Sequence, residues 1–269
     1  MSWANDHDAS LDVLQQVQGT LTVSLIMVPR QDLSTCVQDE SAAQIKARNE
    51  NQYSFFPVVD RHNRVLGLYN AERWFEDEAP DLPIADDFVR LSEDIVIGAD
   101  ASIFDFVMQA DEHQTNLVVS GNQIAGLVSL SDLQKLPVRA ALFALITSLE
   151  MAMVVAIQRR WPQLEDWISF LSDGRKDMLL SEIGEAKAHD GFVSEIAFTQ
   201  FSDKADILRK GKLLAPSSAE LRKRFKRIRV LRDSVAHANN YAATPTTAKQ
   251  VCETVRWIYE IKAELLKLV

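Results

Sequence analysis

Cysteine is scarce: the 269 residues contain only Cys36 and Cys252, too few for a disulfide framework and in keeping with a reducing compartment. Nine glycines and eight prolines, without periodicity, exclude a collagen-like or low-complexity chain. The opening MSWANDHDAS lacks the basic start and apolar run of a signal peptide. The most apolar stretch, Leu142 to Ile157, is broken by Thr147, Ser148 and Glu150 and reads as too short to span a bilayer. The expectation is therefore a cytoplasmic protein with no membrane partner. No Gly-rich phosphate loop and no G-x-S-x-G elbow is present. His7, His62, His113 and His189 stand far apart without paired ligand spacing, so no metal is expected. What is present is a hydrophobic content of 47% with 25% charged residues, enough for a substantial core in one or two domains.

Charge is unevenly spread. The net charge is −9, yet Lys204 to Arg232 holds eleven Lys/Arg against Asp206 and Glu220. That segment carries about +9, leaving about −18 for the rest. One cationic face in an otherwise anionic molecule selects for an anion.

The first half repeats itself. Phe55-Phe56-Pro57-Val58-Val59-Asp60 reads as a strand, Arg61 to Arg64 as a turn and Val65-Leu66-Gly67-Leu68-Tyr69 as a second strand, with a helix starting near Asn70. The pattern returns at Asn116-Leu117-Val118-Val119, Ser120 to Gln123 and Ile124-Ala125-Gly126-Leu127-Val128, followed by Ser129-Leu130-Ser131-Asp132 opening a helix. Gly67 and Gly126 are equivalent, 59 positions apart. A helical stretch precedes each hairpin, Ser41 to Asn49 and Ser102 to Glu112; in the second, Ile103, Phe106, Val107 and Ala110 share one face. The connector Glu76 to Pro83 is acidic and reads as a solvated linker.

These residues, FFPVVD…RVLGLYNAERW and NLVVSGNQIAGLVSLSDL, resemble a tandem pair of cystathionine-β-synthase (CBS) domains, a Bateman module, over about residues 22–137. The resemblance implies a pseudo-symmetric pair with two clefts for adenine nucleotides: AMP, ADP or ATP. The family's cleft signature is Gly, an apolar residue, any residue, Thr/Ser, two residues, then Asp. The second copy matches it at Gly126-Leu127-Val128-Ser129-Leu130-Ser131-Asp132. A carboxylate at Asp132 accepts from ribose hydroxyls, while Ser129 and helix N–H groups suit a phosphate. Both are equally what an N-cap and a first-turn acid look like. The first copy carries Asn70 and Arg73 at those positions, which implies at most one competent ribose site. Ile95 and Val96 would, by the same resemblance, flank the adenine.

After Pro137 strand signals stop. Helices are expected over Ala140 to Arg160, Gln163 to Leu171, Lys176 to Lys187, Ser194 to Arg209, and Thr246 to Leu268. Another opens at the capping box Ser217-Ser218-Ala219-Glu220 and buries Leu221, Phe225, Ile228, Leu231 and Val235. The fold class expected is thus α+β: an N-terminal extension (1–21), a tandem α/β module (22–137) and an all-α bundle (138–269). Near the end of the basic helix, Arg232-Asp233-Ser234-Val235-Ala236-His237 is similar to the R-x4–6-H motif of the HEPN superfamily, helical bundles that are often metal-independent ribonucleases. The residue after the arginine is often Asn in active members of that family and is Asp233 here. The resemblance implies His237 as base, Arg232 as phosphate ligand and a homodimer that brings two motifs together. It also implies an RNA backbone held by Arg222, Lys223, Lys226, Arg227 and Arg229. Two functions follow: a nucleotide-sensing module governing a ribonuclease or RNA-binding domain, or a non-catalytic sensor whose helical domain mediates dimerisation and protein–protein contacts.

Overall fold

The computed structural model describes residues 19–72, 81–189 and 194–268. The N-terminal 18 residues, Arg73 and most of the acidic connector lie outside the described residues. The chain divides into two compact units, Thr22–Leu133 and Gln134 to the C-terminus, with residues 19–21 grouped in the latter. The division falls within the 3-10 turn Leu130–Gln134, a few residues before the boundary read from sequence.

The first unit contains, in order, β1 (Val28–Pro29), β2 (Cys36–Val37), α1 (Ala42–Arg48), β3 (Phe55–Val59), β4 (Val65–Asn70), α2 (Ile84–Asp87), β5 (Phe88–Arg90), β6 (Val96–Gly98), α3 (Ile103–Val107), β7 (Thr115–Ser120) and β8 (Gln123–Ser129). They form two four-stranded sheets, ordered β2-β3-β4-β5 and β1-β8-β7-β6. Each sheet holds a parallel pair, β2/β3 or β6/β7, extended by an antiparallel hairpin, β3/β4 or β7/β8. The edge strands are exchanged: β5 completes the first repeat's sheet and β1 the second's. This is the tandem pseudo-symmetric arrangement that the sequence resemblance implies.

The exchange explains the paired glycines. Gly67 pairs with Arg90 on β5, and Gly126 pairs with Pro29 on β1. A Cβ on Gly67 would run into the carbonyl oxygen of Val89, and one on Gly126 into that of Val28. Each glycine is therefore the clearance that admits the borrowed strand. Capping boxes start α1 (Ser41 with Gln44) and α3 (Ser102 with Asp105). Helix α3 is shorter than its apolar spacing predicts, and the chain to Glu112 continues as turns. One core cluster joins Ile45, Phe56, Val58, Tyr69 and Ile84 of the first repeat. A second joins Leu68 of β4 to Leu117 and Leu127 of the other sheet.

The second unit is helical: α4 (Leu136–Arg160), α5 (Leu164–Ile168), α6 (Asp173–Ala188), α7 (Phe201–Lys210), α8 (Ser218–Ala236) and α9 (Pro245–Leu266). Helix α4 starts before Ala140 because Pro137 sits in its first turn, where a missing N–H costs nothing. The single helix expected over Ser194 to Arg209 is two pieces, a 3-10 turn Glu195–Phe198 and then α7. The break is made by Gln200, whose N–H donates to Asp203 Oδ2 at 2.8 Å and caps the new helix. Helix α4 packs against α7, α8 and α9. With a mean hydropathy of 2.2 over 18 residues it is long and apolar enough to cross a membrane, which corrects the reading of that run as too short. Two thirds of that window (67%) is buried inside the protein, so core packing accounts for its composition.

Candidate functional site

In the second sheet β6 and β7 run parallel and β8 runs back, so the start of β6, the start of β7 and the end of β8 meet at one edge. Val96 pairs with Leu117, Leu117 with Leu127, and Thr115 with Ser129. Ile95, Val96, Ser129 and Asp132 are thereby collected at the same end of one sheet. Ile95 and Val96 are half-buried and pack on the Leu68, Leu117 and Leu127 cluster. Asp132 is buried, 3% exposed, and its Oδ2 accepts from the Ser129 N–H at 2.6 Å and the Ser129 hydroxyl at 3.2 Å. Ser129 Oγ also lies 2.8 Å from Ser131 Oγ. The carboxylate therefore caps its own 3-10 turn, with its position fixed before any ligand arrives.

Asn70, the first copy's counterpart of Ser129, likewise folds back: its Oδ1 accepts from the Glu72 N–H at 2.9 Å. A feature that sequence reasoning missed is an open cleft of about 560 Å³ elsewhere in this unit. Pro29, Leu33, Pro57, Val59 and Val65 supply its apolar lining, and Arg30, Thr35 and Asn63 its polar one. Ser129, Asp132, Ile95 and Val96 are not part of it. The Arg30 guanidinium donates to the carbonyls of Ile124 (3.1 Å) and Asn63, tying β8 to the β3–β4 turn. In sequence, Arg30 is one arginine after a Pro, with no spacing to mark it.

In the helical unit Arg232 and His237 make no hydrogen bond or ion pair with each other among the described residues. At 100° per residue, five positions turn about 140° around α8. Arg232 reaches back to α4, where Glu150 Oε2 lies 3.8 Å from its Nε, and its Nη1 contacts Asp233 Oδ1 at 3.5 Å. Asp233 thus engages the arginine, as its carboxylate suggests. His237 is exposed and terminates α8, its N–H donating to Asp233 O at 3.0 Å.

Glu150 Oε1 accepts from the Lys204 ammonium at 3.1 Å, and Lys204 also donates to Thr199 O at 2.6 Å. Burial pushes the Lys204 pKa below the usual lysine value, with Glu150 opposing it. The five residues expected to hold RNA split into two sets. Lys223 and Arg227, with Arg224, stack over the Trp257 ring of α9 at 5.3 to 5.5 Å. Arg224 is paired with Glu220 (2.7 Å) and Glu260 (2.6 Å), and Arg227 with Glu253. Arg222, Lys226 and Arg229 are exposed and make no ion pair among the described residues.

A clasp holds the segment after α8. Arg139 of α4 donates to Ser234 O (3.0 Å), Val235 O (3.2 Å) and Asn239 O (2.9 Å), and its guanidinium lies 5.0 Å from the Tyr241 ring. With its amide oxygen turned toward the donors, Gln134 accepts from the N–H groups of Tyr241 (3.1 Å), Ala242 (2.5 Å) and Ala243 (3.2 Å). Among the described residues no group of three or more His, Cys, Asp or Glu is placed to hold a metal.

No protein-family profile matches this chain, and no curated protein matches it. Among solved structures it is similar to the CBS domain of the bacterial CNNM/CorC family Mg2+ transporter in complex with ATP, at 18% identity and a TM-score of 0.38, covering 47% of this chain and 93% of that one. It is also similar to CBSX2 in complex with AMP, at 18% identity and a TM-score of 0.35, covering 45% and 96%. The CBS domains of a transcriptional regulator from Streptococcus pneumoniae share 22% identity with a TM-score of 0.35, covering 42% and 95%.

Proposed function

We propose that the protein is a nucleotide-responsive regulator, in which the α/β unit binds AMP, ADP or ATP at the Ser129–Asp132 end of its second sheet and the helical unit carries the output. The observation that carries this reading is the collection of a hydroxyl, a pre-oriented carboxylate and two apolar side chains at one sheet end of a repeated α/β unit. A carboxylate there accepts from a ribose diol, the 3-10 turn offers N–H groups, and Ile95 and Val96 offer an apolar face to a base. Calorimetric titration of the full chain with the three nucleotides tests it, with circular dichroism confirming that each variant is folded. Saturable binding that Asp132→Ala abolishes supports this placement. Absence of binding to wild type by all three nucleotides overturns the sensor reading.

A specific observation favours a second placement. The cleft around Arg30 has a volume within the range of small-molecule sites, about 300–1,000 Å³. Binding lost in Arg30→Ala and kept in Asp132→Ala would move the ligand there.

For the output, the helical unit acts as a docking and assembly module. In support, Arg232 lies against the carboxylates of Glu150 (3.8 Å) and Asp233 (3.5 Å), which offset the charge a phosphate would need. The competing reading, metal-independent RNA cleavage by Arg232 and His237 from two copies of the chain, draws on the position of the motif at the end of a cationic helix. RNA cleavage in EDTA that disappears in His237→Ala would restore the enzyme reading; equal cleavage by both proteins would assign it to a contaminant.

A further inference from the structure

A groove of about 230 Å³ lies between α7 and α8 in the helical unit, and its lining includes no residue of either placement above and not His237. Its floor is apolar: Phe201 and Phe225 meet edge to face, with ring centroids 6.1 Å apart. One wall is the face of α8 that carries Arg222, Lys226 and Arg229, at spacings of four and three residues. Like charges at those spacings repel one another unless an anion lies between them. The contrast within the same helix is informative. Lys223, Arg224 and Arg227 are absorbed by Trp257 or by Glu220, Glu253 and Glu260, while the groove-facing three are left without an acidic partner among the described residues. Across the groove the single acid, Asp206, is already engaged by Arg209 Nη2 at 2.8 Å.

We infer that this groove is a binding site for a phosphate monoester carrying one compact ring. The phosphate lies between Arg222, Lys226 and Arg229, where two guanidinium forks and the Lys226 ammonium donate to its oxygens. The ring lies over the Phe201–Phe225 floor. The size fits: about 230 Å³ is the share of roughly eight waters, below the range of drug-sized ligands. A nucleic-acid strand also uses cations and aromatic faces, but along a groove several nucleotides long, whereas this one, at about 230 Å³, has room for a single ring.

The test uses the full chain, phenyl phosphate, inorganic phosphate and phenol by calorimetry, and a labelled 20-mer of oligouridylate by fluorescence anisotropy. Phenyl phosphate binds about tenfold or more tightly than inorganic phosphate or phenol, because only it fills both halves of the groove. Arg222→Gln/Arg229→Gln, both exposed, weakens it by about tenfold or more, whereas Lys223→Gln, on the Trp257 face, changes it by less than about twofold. Equal affinity for phenyl phosphate and inorganic phosphate, no binding of phenyl phosphate, or equal loss in both variants overturns the proposal. Binding of the 20-mer alone, lost in the double variant, also overturns it and makes the face a nucleic-acid backbone site.

Discussion

Lys204 is the residue on which the helical unit's polar interior turns. It is 4% exposed, donates to Thr199 O and Glu150, and shares Glu150 with Arg232. Lys204→Met leaves the carbonyl and the carboxylate short of a donor and is expected to cost about 1–3 kcal/mol in urea unfolding. Adding Glu150→Leu recovers part of that loss, since a buried pair removed whole is cheaper than one broken. The pH dependence has a definite sign. The folded pKa of Lys204 lies below its ordinary 10.5, chiefly through desolvation, so the unfolded chain holds the proton longer. The stability of wild type relative to Lys204→Met therefore rises as pH climbs toward 10.5, and a difference that falls in that window would contradict the assignment. Cys36 gives a second residue-scale expectation. Burial, with Glu40 adding and Arg48 opposing, pushes its thiol up to about 12, and Cys252 is fully buried. Neither cysteine should react with a thiol reagent at pH 8 until the protein is unfolded, when both should.

At the scale of elements, the Arg139 clasp is the contact that orders the end of α8. Arg139→Ala removes three carbonyl bonds and the stack on Tyr241, an expected loss of about 2–3 kcal/mol, with faster hydrogen exchange over residues 234–243. Arg139→Lys should restore only a fraction, because a point charge cannot serve three carbonyls. Exchange in that segment unchanged by Arg139→Ala would show that α8 ends on its own contacts. The elements themselves were largely legible in sequence: both hairpins with their glycines 59 apart, and the buried face of α8, follow from local apolar spacing and turn chemistry. Two things were not. The borrowed edge strands β1 and β5 are too short to carry a period, and their partners lie in the other repeat. Which cations of α8 are free depends on what α9 brings opposite them, and Glu253, Trp257 and Glu260 are remote in sequence. Sequence spacing alone grouped Lys223 and Arg227 with Arg222, Lys226 and Arg229, and tertiary pairing separates them.

For the whole molecule, the proposed regulation requires that a ligand at the first unit change the second, and the chain passes from one to the other through a single turn. The 3-10 turn Leu130–Gln134 contains Asp132, and its last residue, Gln134, holds the N–H groups of Tyr241, Ala242 and Ala243. If a ligand orders Asp132, that turn should lose range of motion, and the opening of segment 239–243 is expected to fall with it. Coupling of this kind requires that the ligand favour one state of the turn over another. A nucleotide at 100 times its Kd should stabilise the fold it binds by about 2.7 kcal/mol and raise its melting temperature. It should also slow hydrogen exchange at Tyr241 and Ala242, although neither residue is part of the proposed ligand site. Gln134→Ala cuts the path without touching Asp132 or Ser129, so in that variant nucleotide affinity stays within about twofold of wild type while the protection at 241–242 is lost. If ligand-induced protection is confined to residues 22–133 in both proteins, the two units respond independently and the regulatory reading fails even where the nucleotide binds.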